Sequence, residues 1–235
     1  MSTDLLGTAP VPALLDYHLV GVGAPNPTVE GILVEEFTRH HDFTTTGLDS
    51  AAWTPAVGWW SAAALSRGMR TDPEVLARVL PASRQRAEAV YRALGGGQLP
   101  GETVLRTHFR DHQPIATTAP LRLGPAHPPA GFHERRVYRV LFVKDLDAEQ
   151  MTSLRTAWRT PADCPSGSAA SGRRDTGTEQ ITWELRRVGR HLAWGLDLTA
   201  LLSTDATEAV GSTLAELTTV LRGHGLIPVT TERFS

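Results

Sequence analysis

Hydrophobic and polar positions separate most clearly in the second half of the chain. Residues 136–145 read Arg-Val-Tyr-Arg-Val-Leu-Phe-Val-Lys-Asp. The centre of this run, 137–143, is apolar on both faces apart from Arg139, which predicts a central strand. Asp147 then caps a helix, with Gln150 at the reciprocal capping position, and Met151, Leu154 and Trp158 give that helix an apolar stripe. Further on, Ile181, Trp183 and Leu185 alternate with Thr182, Glu184 and Arg186. After a turn at 188–190 the alternation resumes with Leu192, Trp194, Leu196 and Leu198. A period of two predicts a hairpin with one buried face. Val210, Leu214, Leu217 and Leu221 return at helical spacing, Gly223 or Gly225 ends that helix, and 226–233 predicts a last short strand. The stretch 161–177 is rich in Pro, Ser, Gly and Ala and has no period, which predicts a mobile loop.

The first half is patterned less sharply. Residues 16–23 form a short apolar run broken by glycines, a strand in this reading, and Pro25-Asn26-Pro27 is a loop. Thr28 caps a helix through about Thr38, with Val29, Ile32, Leu33 and Phe37 near one face. A strand over 31–37 is the alternative, because Ile-Leu-Val is also strand chemistry. Residues 39–47 are polar and turn-like. Ser50 or Thr54 opens another helix, with Val57, Trp60, Ala64 and Leu65 on one side. Thr71-Asp72-Pro73-Glu74 is a helix start with proline in the first turn. Ala87, Val90, Tyr91 and Leu94 are the buried stripe of a helix that Gly95-Gly96-Gly97 stops. Residues 102–112 predict a strand, 115–123 a second one interrupted by proline, and 124–131 a linker.

The second half thus runs β-α-β-β-α-β and resembles the ferredoxin-like arrangement from about residue 135 to the C-terminus. The expected fold class is α+β: a mostly helical half at 1–130 packed on a ferredoxin-like half at 131–235, as two domains or one integrated domain. Such a superfold implies no activity. One face of its sheet is covered by the two helices; the other needs the N-terminal half, a second subunit or a ligand.

Composition narrows the function classes. The chain has 235 residues, 41% hydrophobic and 20% charged, as ordinary globular proteins have. A net charge of -2 and a pI near 6.5 argue against a nucleic-acid binder, which carries a basic excess. The first 20 residues lack a basic region and a long apolar core, and no apolar run approaches the roughly 20 residues that span a bilayer. The single cysteine, Cys164, excludes an intrachain disulfide framework and a multi-cysteine zinc site. Together these point to the cytoplasm. Lys144 is the only lysine and Asn26 the only asparagine, while Ala, Gly, Arg and Pro abound. That usage suggests a high-GC, actinobacterium-like genome and, from that alone, specialised-metabolite biosynthesis.

Two clusters carry candidate chemistry. On a strand, Arg106, His108, Arg110 and His112 share one face and would bind a carboxylate or phosphate. On a helix, His108 and His112 would sit one turn apart, but spacing places no third ligand, so no metal is expected. The plain alternative is a solvated face. The second cluster is His40-His41-Asp42 before Thr44-Thr45-Thr46-Gly47, where Asp42 could orient an imidazole for proton transfer. Its plain alternative is a helix C-terminus, where histidines suit the dipole. Gly21-Val22-Gly23 is too short a glycine pattern for a nucleotide site. Lys144, at the end of the central strand, is a Schiff-base candidate if buried, and otherwise pairs with a neighbouring carboxylate. The six tryptophans are core packing or line an aromatic pocket between the halves.

The leading expectation is a cofactor-independent acid–base enzyme, or enzyme-like pocket protein, acting on a small anion. His108, His40, His41 and Asp42 would move protons, and Arg106, Arg110, His112 and Lys144 would hold the substrate. The rival is a non-catalytic interaction protein that uses the open sheet face for a homodimer or another partner.

Overall fold

A computed structural model describes residues 15–23, 28–116, 123–125, 127–162, 164, 166–189, 193–205 and 207–234. The loop expected at 25–27, most of the strand expected at 115–123, and Arg190 and Leu192 of the expected hairpin lie outside them. Strand outweighs helix, 42% to 27%, in two antiparallel sheets.

The first sheet overturns the helical reading of the N-terminal half. β1 (Asp16–Val22), β2 (Thr28–Arg39), β3 (Thr45–Thr54) and β4 (Gly58–Ser61) form an antiparallel meander. Helices α1 (Ala63–Thr71) and α2 (Pro73–Ala77) lead to β5 (Val79–Ala82), which returns to pair with β1. Helices α3 (Arg84–Ala93) and α4 (Glu102–Arg106) precede β6 (Gln113–Pro114), which pairs with the start of β3; the main strand order is β4-β3-β2-β1-β5. Successive residues Ile32, Leu33 and Val34 are all fully buried. Ile32 and Val34 face the cluster containing Ala87, Tyr91 and Leu105. Leu33 faces the one containing Ala62, Met69 and Ile227. A strand covered on both faces has a continuous apolar run, which spacing cannot tell from a helix. The strand alternative at 31–37 is therefore the one realised. Gly31 reflects the same crowding: a Cβ there would stand 2.3 Å from the Trp53 carbonyl oxygen.

The second sheet contains β7 (Glu134–Val143), β8 (Ser168–Asp175), β9 (Glu179–Val188), β10 (Ala193–Leu202) and β11 (Ile227–Phe234), in the order β11-β7-β10-β9-β8. Helix α5 (Ala148–Ala157) follows β7 and α6 (Glu208–Gly223) follows β10. Asp147 and Gln150 form the reciprocal cap of α5. The sheet has five strands, so the four-stranded ferredoxin-like unit under a helical half is overturned here too. The added strand, β8, arises from the stretch expected to be a mobile loop. Its small residues match a large neighbour rather than disorder: a Cβ at Gly172 would lie 2.5 Å from Trp183 Cζ2. Both backbone groups of Ser171 on the outer side of β8 meet one hydroxyl. Thr160 Oγ1 donates to the Ser171 carbonyl at 3.1 Å and accepts from its amide at 3.3 Å.

The halves meet along β11. Ile227 enters the cluster of Leu33, Met69 and Val79. Thr45 Oγ1 accepts from the buried Thr231 amide, and Arg70 Nε donates to the Pro228 carbonyl. From the β2–β3 turn, Phe43 packs against the second core at positive φ, its ring 6.1 Å from that of Tyr138. Among the described residues no helix is long and apolar enough to cross a membrane.

Candidate functional site

The residues expected to bind an anion do not share a strand face. Residues 102–106 are helix α4, and the chain beyond it is largely irregular, so alternation never operates. Arg106 forms a two-pronged pair with Glu36, Nε to Oε2 and Nη2 to Oε1, both 2.8 Å. His108 stacks on Trp59 at 5.2 Å. Arg110 is exposed. His112 Nδ1 lies 3.0 Å from Asp49 Oδ2. Glu36 and Asp49 are cross-strand partners on β2 and β3, so Arg106 and His112 answer adjacent carboxylates.

The His40-His41-Asp42 cluster sits in the β2–β3 turn, not at a helix end, because the preceding segment is a strand. His40 and His41 rings lie 3.9 Å apart, and His40 Nδ1 is 3.3 Å from Asp42 Oδ1. That same oxygen accepts from the Thr44 hydroxyl at 2.6 Å and its amide at 3.1 Å. Burial pushes the Asp42 carboxyl up, but the Thr44 bonds and His40 outweigh it and hold it below its ordinary range. This geometry closes a turn that delivers Phe43 to the second core. Lys144 has φ 73° and is half-buried, and burial lowers its pKa. Neighbouring Asp145 is held by Arg187 instead. Among the described residues no group of three His, Cys, Asp or Glu is arranged to hold a metal.

Sequence reasoning passed over a buried triad. His18, Glu35 and the guanidinium of Arg70 lie between β1, β2 and α1. His18 and Glu35 are fully buried. Arg70 donates to both Glu35 oxygens at 2.9 and 2.8 Å, and His18 Nε2 lies 3.2 Å from Glu35 Oε2. Desolvation raises the Glu35 pKa, but Arg70 and His18 outweigh it and the carboxyl ends far below its ordinary range. Desolvation lowers that of His18 more than Glu35 raises it, leaving the imidazole neutral. The signal was the pair of charged residues, Glu35 and Glu36, inside the otherwise apolar run 32–37.

The second sheet carries the other overlooked set. Tyr138, Val140, Phe142, Ile181, Trp183, Leu185, Trp194, Leu196 and Leu198 face the helices α5 and α6. Their alternates, among them Arg139, Thr182, Glu184, Arg186, Asp197 and Thr199, point the other way and stay partly exposed. Asp197 stands directly opposite both Arg139 and Glu184. Arg139 donates to it at 2.6 and 2.9 Å, and Arg186 Nε donates at 2.7 Å. The bonds to Asp197 raise the Arg139 pKa. Glu184 accepts from the Ser168 hydroxyl at 2.7 Å, and no described cation forms an ion pair with it. Glu184, Arg186 and Asp197, with Thr182 and Thr199, line a cleft of about 430 Å³ to which Leu123 and Ser166 to Ser168 also contribute. A cleft of this size suits a small ligand or one or two side chains. Comparison with family models, curated proteins and solved structures returns no match.

Proposed function

We propose that the protein is a non-catalytic interaction module that holds its partner on the open face of the second sheet. The observation that carries this reading is the cleft on that face, floored by Glu184, Asp197, Thr182 and Thr199. The acid–base reading draws less support. Arg106, His112 and His40 each already face a carboxylate. His108 is stacked on Trp59. A photo-crosslinking residue at Thr199 tests the proposal, with Thr152 on the exposed side of α5 as control, in the cells that make the protein. Adducts with one defined partner, or with a second copy, from Thr199 and not from Thr152 are expected. Equal or exclusive labelling from Thr152 overturns the assignment.

A further inference from the structure

We infer that the group anchored in this cleft is a cationic side chain of the partner, a guanidinium or an ammonium, held by Glu184. The inference rests on the interaction reading above and adds the chemistry of its anchor.

Four charges meet on the face. Arg139 and Arg186 both aim their Nε at Asp197, one from β7 and one from β9. Asp197 is therefore fully engaged, and its two arginines are held in place by it. Arg139 is further fixed over the Phe234 ring, 5.2 Å from its centroid, and feels Glu232 on β11. Arg187, at the rim, lies over the Trp194 ring and holds Asp145. Among the described residues Glu184 is left with a serine hydroxyl alone. Its carboxylate stands opposite that of Asp197, and like charges on directly opposed strand positions destabilise a sheet. A cation entering from the cleft would relieve that repulsion. Thr182 and Thr199, directly opposite each other one row along, supply hydroxyl acceptors for its remaining protons. A charge-assisted bond to a carboxylate is shorter and about twice as strong as a neutral one. Arg139 already commits Nε and Nη2 to Asp197, and Arg186 its Nε.

The test uses the full chain and backbone amide NMR of Thr182, Gly195 and Thr199. Nα-acetylarginine amide is the probe, with the citrulline and glutamate derivatives as neutral and anionic comparisons. The arginine derivative should shift these three amides in a saturable way, and Glu184→Gln should weaken it about tenfold. The glutamine amide can still accept from Ser168 and no longer repels Asp197, so a melting temperature no lower than that of the parent protein is expected. Should that variant not fold, Thr199→Arg places a tethered guanidinium in the cleft and should abolish the shifts. Equal response to the citrulline derivative, or no effect of Glu184→Gln, overturns the cation assignment. Shifts with the glutamate derivative alone overturn it while leaving the face a binding surface. No shift with any probe, together with a Thr199 crosslink, likewise removes only the cation; absence of both removes the cation and the interaction reading together.

Discussion

Removing the Arg70 guanidinium would strand a buried carboxylate. Arg70→Met keeps the apolar stem and deletes both bonds to Glu35, together with those to the Pro228 and Ser66 carbonyls. Breaking a buried pair from one side costs about 3–5 kcal/mol, because the remaining charge keeps its desolvation penalty. The Pro228 carbonyl links this loss to the junction of the two halves, so the upper part of that range is expected. For a chain of this length about 4 kcal/mol corresponds to a melting temperature lower by roughly 10 °C. Urea unfolding followed by tryptophan fluorescence measures it directly, as a lower midpoint at unchanged slope. Glu35→Gln combined with Arg70→Met should recover part of the loss, since a neutral amide is cheaper to bury than a carboxylate. A loss below about 1 kcal/mol for Arg70→Met, or no recovery in the double variant, would refute the claim that an ionised Glu35 is what Arg70 sustains.

The same triad sets an acid limit. His18 is kept neutral in the fold, so below its ordinary 6.5 the unfolded chain takes a proton that the folded one refuses, and stability falls. Glu35, with its depressed pKa, adds stability that is present above its ordinary 4.5 and is lost as pH drops further. Melting temperature against pH should therefore decline in two steps, and His18→Leu should flatten the upper one. Gly172→Val is expected to cost roughly 1–3 kcal/mol by overpacking against the Trp183 indole, with β8 losing amide-exchange protection first.

Legibility followed the number of covered faces. In the second half one face of the sheet is packed and the other is wet, so alternation at 181–186 and 194–198 marked strands directly. In the first half β2 is covered on both sides, and Ile32-Leu33-Val34 lost the alternation that would have distinguished strand from helix. β8 failed for another reason. Gly172 is small because Trp183 fills the volume beside it, a cause that lies elsewhere in the sequence. The candidate site was legible only in its alternates. Thr182, Glu184 and Arg186 were visible as the polar half of a strand, but the opposition of Glu184 to Asp197 depends on the register of a hairpin, which a one-residue slip would undo. Arg106 and His112, which stood out by type, turn out to be answered by Glu36 and Asp49, acids that spacing does not pair with them, while His40 meets the adjacent Asp42.

The hydroxyl of Thr160 has a further bearing. An outer strand with free amides and carbonyls is a template on which another chain can grow, and β8 would otherwise offer one. At Ser171 a single threonine occupies both groups, and at the far side of the sheet Thr45 and Arg70 occupy groups of β11. At these positions both ends of the five-stranded sheet have their outward backbone groups occupied, which hinders strand-by-strand addition of further copies there.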